Sequence, residues 1–188
     1  MTSFSQIEMI EIQIAEYDAK IIQAIEEEME FITPHISTTC PLMLPAIGLV
    51  NHKIDIYFDL NRDESEKGLS EMKSLATIRK VYFKVVSGSY QYDYTFHFNP
   101  EGSLIFYSLK SEDSNSGCTL DSYYFKNAKC IQIRTEPFPT KFCEVPSENV
   151  PEIRTVLTEQ DESQVIKIIK NTTTFKNLLS IYKRLMVD

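Results

Sequence analysis

No run of about 18 apolar residues occurs in this chain, so a membrane-spanning helix is not expected. The N-terminus runs from Met1 through Ser5 and Gln6 into Glu8 and Glu11, with no basic segment ahead of an apolar block. No secretory leader is read there, and a cytoplasmic location is expected. Cysteine is sparse and dispersed: Cys40, Cys118, Cys130 and Cys143 form no C-x-x-C pair and have no close pair of histidines beside them. That spacing argues against a zinc ribbon or a redox pair and leaves free, mostly buried thiols as the expectation. Cationic charge is short as well, with 19 Lys and Arg against 27 carboxylates and a net charge of −8. Counterion-displacing contact with nucleic acid needs the opposite balance, so no nucleic-acid partner is expected. No nucleophile with a base and an oxyanion turn can be recognised, and no cofactor motif, so the chain does not read as an enzyme and no cofactor is expected.

What is present is an apolar fraction of 43% over 188 residues, enough for one domain spanning 1–188. The charge is unevenly spread. Residues 4–32 hold eight carboxylates against Lys20 alone, nearly the whole excess, whereas the stretch from Ser163 carries Lys167, Lys170, Lys176, Lys183 and Arg184 against Asp188.

Ser5 and Glu8 form a capping-box pattern, and Ile7, Ile10, Ile14, Tyr17, Ile21, Ile25 and Met29 follow every three or four residues. This predicts a long amphipathic helix over 4–32, ended by Pro34, lying across a sheet with an acidic outer face. Pro34, Pro41, Pro45 and Gly48 make 34–48 read as irregular. Lys53 to Leu60 alternates as a half-buried strand, and 61–75 suits a loop or a short helix carrying Leu69, Met72 and Leu75. Strands are predicted at 78–87, 89–98, 103–110, 121–126 and 129–136, separated by short turns, which completes a meander over 53–136. Four prolines mark 137–151 as irregular. Within 152–187 a closing helix is predicted from Val165, Ile168, Ile169, Thr172, Phe175, Leu179, Tyr182 and Met186, with a weak point near Asn171. The fold class is therefore α+β: a curved antiparallel β-meander of about five to six strands packed by a long N-terminal helix and a C-terminal helix. The acidic first helix and basic last helix are able to pack side by side.

Ile54 to Asp59, Ile78 to Val81, Tyr94 to Phe106 and Tyr123 to Lys129 resemble small uncharacterised bacterial proteins that share Y-x-F-x-x-x-G-x-L and Y-Y-F-x-N-G-K-L hairpins. This chain departs from that pattern at Ala128, where Gly is usual, and at Cys130, where Leu is usual. By architecture and charge it also resembles immunity proteins that neutralise polymorphic toxins, which are small, acidic and free of cofactors. The resemblance implies a protein partner.

Few side chains compete as sites. His97 shares a strand face with Gln91, Asp93 and Thr95, opposite Tyr90, Tyr92, Tyr94, Phe96 and Phe98, and reads as a surface histidine. His35, Cys40 and His52 do not have a spacing that specifies a metal. Asp55, Asp59, Asp63 and Glu64 lack the spacing of a calcium loop and read as a solvated face. Asn171-Thr172-Thr173 matches the glycosylation acceptor pattern, without consequence in a cytoplasmic protein. Tyrosine is the more informative residue, since seven of the ten lie between Tyr82 and Tyr124; a tyrosine surface mixed with carboxylates suits a protein interface. Asp55, Tyr57, Asp59, Tyr90, Tyr92, Asp93, Tyr94 and His97 are therefore the candidate partner-binding residues. The expected function is a protein-binding module, an inhibitor or immunity-type protein acting on a basic partner. The alternatives are a small-ligand-binding protein or enzyme with a pocket between sheet and N-terminal helix, and an assembly subunit.

Overall fold

The computed structural model describes residues 5–26, 35–44, 48–60, 76–88, 90–113, 117–140, 143 and 150–185. Eight strands form one antiparallel sheet in which each pairs with its neighbours in sequence. They are β1 (His35–Leu44), β2 (Gly48–Leu60), β3 (Ala76–Ser87), β4 (Tyr90–Phe98), β5 (Leu104–Asp113), β6 (Gly117–Lys126), β7 (Lys129–Pro137) and β8 (Glu152–Arg154). Helix α1 (Gln6–Glu26) precedes them and helix α2 (Glu159–Leu185) follows. Among the described residues no helix is long and apolar enough to cross a membrane.

The α+β class and the antiparallel sheet agree with the sequence reading, but the described residues form eight strands, not five to six. The two additions are the edge strands. β1 runs through Pro41, in the stretch read as irregular; a proline is tolerated there because an edge strand leaves one row of N–H groups without a ladder partner. β8 is three residues long, too short to show alternation. α2 runs unbroken through Asn171 and Thr172, whose hydroxyl donates back to the Ile169 carbonyl at 2.7 Å. The expected loop at 61–75, the stop at Pro34 and the position of Met186 lie outside the described residues, as do Asp63 and Glu64.

Each helix begins with a capping box. Ser5 and Glu8 exchange backbone-to-side-chain hydrogen bonds as expected, and Thr158 and Asp161 do the same ahead of α2. The Thr158 N–H donates to the Asp161 carboxylate and, with the Thr158 hydroxyl, holds its pKa below the usual range.

The helices lie on opposite faces of the sheet. Successive strand residues point to opposite sides: Phe96 of β4 packs edge-on against Phe175 of α2 with ring centroids 5.0 Å apart, while the next residue, His97, lies 3.9 Å from Asp18 of α1. The side-by-side helix pair therefore does not form, and each helix turns its outer side away from the other. On the α2 face the core contains Ile56, Val81, Phe96, Tyr107, Tyr123 and Ile133, one cross-strand row that Val165, Ile168 and Phe175 cover.

Register shifts occur at Tyr57/Phe58, His97/Phe98 and Tyr124/Phe125. All three fall where β2, β4 and β6 run out at the same end of the sheet, where bulges bend strands and raise their twist. The β6–β7 hairpin at that end turns on Asn127 and Ala128, both with positive φ, 51° and 61°. Asparagine and glycine favour such a turn; the Ala128 Cβ does not. Ala128→Gly is expected to raise stability by about 1 kcal/mol, measured as a higher urea midpoint. An unchanged or lower midpoint would show that the turn is not strained.

Two cysteines correct the free-thiol expectation. Cys118 of β6 is bonded to Cys143 with a sequence separation of 25, and the Phe138 N–H donates to the Cys118 carbonyl in the same segment. Cys40 and Cys130 are free.

Candidate functional site

Helix α1 meets its sheet face through charged as well as apolar contacts. The register shift between β2 and β3 pairs Tyr57 with Lys80 and Phe58 with Ile78, leaving Arg79 as the extra residue. Two consecutive cations thereby reach α1. Lys80 Nζ meets Asp18 at 2.7 Å. Arg79 meets Asp59 at 2.5 Å, donates to the Phe98 carbonyl at 3.1 Å, and places its guanidinium 4.6 Å from the Tyr17 ring centroid. Lys20 reaches the second Asp59 oxygen at 3.0 Å, and the Tyr124 hydroxyl donates to Glu11 at 2.9 Å. Burial raises the Tyr124 pKa to about 12, with the Glu11 hydrogen bond acting in the same direction.

His97 sits beneath this cluster, 3% exposed, with its ring edge-on to Phe106. Burial lowers its pKa from 6.5 to about 4; the Asp18 carboxylate opposes that shift, and Lys80 and Arg79 reinforce it. The imidazole is neutral at pH 7, and the surface reading is corrected: α1 covers it.

The eight candidate partner-binding residues divide between the two faces. Asp55, Tyr57, Asp59, Asp93 and His97 share the α1 face, whereas Tyr90, Tyr92 and Tyr94 stand on the α2 face. Asp55 is only 5% exposed and pairs with Lys53 at 2.9 Å. Asp59 is held by Lys20 and Arg79, and Asp93 accepts from Gln91 at 3.0 Å. Tyr57 is half-buried and stacked on His35. Tyr90, Tyr92, Tyr94 and Phe83 form a half-buried aromatic row with neighbouring centroids 5.2, 6.4 and 5.4 Å apart. The three β4 tyrosines therefore stand on the face opposite these carboxylates, and among the eight candidates Tyr57 is the tyrosine that shares the carboxylates' face. Cys40 and His52 face each other across β1 and β2, but His35 lies on the opposite side, and no cluster of three metal-ligating side chains occurs among the described residues.

A more open acidic surface lies on the outer side of α1. Glu8, Glu16 and Glu26 are exposed there, along with Ile12, Ala15, Ala19 and Ile22. Ile12 and Ile22 fall outside the stripe that predicted the helix, and that surplus of isoleucine is the sequence signal for a second apolar strip. At the bulged end of the sheet, a cleft of about 440 Å³ opens between the first turns of α1 and the β4–β5 and β6–β7 turns. Ile10, Leu104 and Phe125 give it apolar walls, and Gln6, Gln13 and Asn99 bring amides.

Compared with protein-family models, with curated proteins and with solved structures, the chain matches none of them.

Proposed function

We propose that this chain is a protein-binding module, an inhibitor or immunity-type protein that neutralises a basic partner such as a toxin. One observation carries the reading: the outer face of α1 exposes Glu8, Glu16 and Glu26, and none of the three forms an ion pair among the described residues. Asp18 of α1 is matched by Lys80, and Asp59 beneath the helix by Lys20 and Arg79, so the negative charge left without a cation lies chiefly on the outer side. In a chain of net charge −8 such a field steers a cationic partner and raises its association rate.

Co-expression with the toxic product of an adjacent gene tests the reading, with restored growth as the readout. Glu8→Gln/Glu16→Gln/Glu26→Gln should slow association about tenfold at low salt while leaving dissociation nearly unchanged. If no adjacent product is neutralised and no basic protein co-purifies, the reading is wrong. The proposed location is the cytoplasm, which carries a condition: thiols there stay reduced, so Cys118 and Cys143 must then be found unbridged in cells.

The cleft beside α1 supports a second reading, a small-ligand-binding protein or enzyme, because its size and mixed lining suit a small polar molecule. Filling it with Leu104→Trp would abolish ligand-induced thermal shifts under that reading and leave partner binding untouched under the first.

A further inference from the structure

We infer that the outer strip of α1 is the docking site for a basic amphipathic helix of the partner; the inference rests on the protein-binding reading above. Helix α1 carries two apolar stripes. Ile10, Tyr17, Ile21 and Ala24 are buried toward the sheet. Ile12, Ala15, Ala19 and Ile22 follow one another at intervals of three, four and three residues, the spacing of a coiled-coil seam, and at 3.6 residues per turn they fall on the opposite side. Ile12 is 41% exposed and Ile22 56% exposed. The sheet-facing stripe already anchors the helix, so folding gives no reason for a second one. Two alanines between two isoleucines leave a low waist that accepts larger side chains from a facing helix.

Charge specifies the occupant. Glu8 and Glu26 stand in line with the strip at its two ends, and Glu16 borders it. Lys20, the only cation of α1, is turned to Asp59 and does not offset them. A facing helix with carboxylates at its flanks would meet like charge along the whole contact, and one with Lys or Arg would be matched. The same argument excludes the α1 of a second copy. The exposed side of α2 offers Ile166 and Ile169 but continues at that spacing into Thr173 and Lys176, so it presents no matching seam.

The test uses the full chain and a synthetic helix of three heptads with Leu at the a and d positions and Lys at e and g, followed by fluorescence anisotropy. Micromolar binding is expected, weakened about tenfold or more by Ile12→Ser/Ile22→Ser and unaffected by Ile166→Ser/Ile169→Ser. Ala15→Arg/Ala19→Arg, at exposed positions, provides a second block should the isoleucine variant lose its circular dichroism. Equal binding of a peptide with the same charge and a scrambled seam would overturn the inference, as would binding that neither variant weakens. Self-association that Ile12→Ser/Ile22→Ser abolishes would overturn it too, by assigning the strip to a second copy. A toxin neutralised equally by wild type and both variants would sink the docking strip while leaving the protein-binding reading intact. Failure of wild type itself to neutralise or bind any protein would sink both.

Discussion

Cys118→Ser/Cys143→Ser is expected to lower the unfolding free energy by about 3 to 4 kcal/mol, because the bridge closes a loop with a sequence separation of 25 and so restricts the unfolded chain. The described backbone contacts at the end of that loop, the Thr140–Cys143 pair and the Phe138-to-Cys118 bond, are ordinary hydrogen bonds of 3.0 to 3.3 Å. The serine at 118 would be buried, but Thr140 Oγ1, now 3.5 Å from the Cys118 sulfur, can partner its hydroxyl. Urea unfolding with and without a thiol reductant gives the direct comparison. Reduction should lower the wild-type midpoint to that of the double-serine variant, and a wild-type curve indifferent to reductant would show that no bridge forms. Alkylation of thiols at lysis of native cells then decides the compartment. A bridge present at lysis excludes the proposed cytoplasmic location, and free thiols mean that the cellular form lacks this stabilisation.

The second large effect follows from His97. Its folded pKa of about 4 lies below its ordinary 6.5, so between those values the unfolded chain binds the extra proton. Stability from this group is complete above pH 6.5 and falls as pH drops toward 4, by roughly 3 kcal/mol in all. A protonated imidazole beneath α1 would sit beside the ammonium of Lys80 and the guanidinium of Arg79, with the Asp18 carboxylate opposing them. Urea midpoints from pH 7 to pH 4 should decline for the wild type and much less for His97→Gln. Parallel slopes would mean that the acid sensitivity arises elsewhere.

Much of the fold was legible because local signals and tertiary demands agree. The Ser5–Glu8 capping box, the inner stripe of α1 and the alternation of Ile54, Ile56 and Phe58 are all patterns that burial on one side requires. β1 and β8 were not legible because an edge strand needs only one partner, which allows Pro41 in one and three residues in the other. The site was read less well for a similar reason. His97 and the tyrosines of β4 were assigned to the correct opposite faces by alternation, but alternation says nothing about which face a helix covers.

The sequence by itself determined the helix and strand periods and the excess of carboxylates near the N-terminus. The tertiary structure decided everything that depends on which side is covered. Placing α1 on that face buries His97, and the register shift at Tyr57/Phe58 turns Arg79 and Lys80 toward α1. Once those cations neutralise the inward carboxylates, Glu8, Glu16 and Glu26 remain as the outward charge. Which surface is left to act is set by long-range packing, which no local pattern encodes.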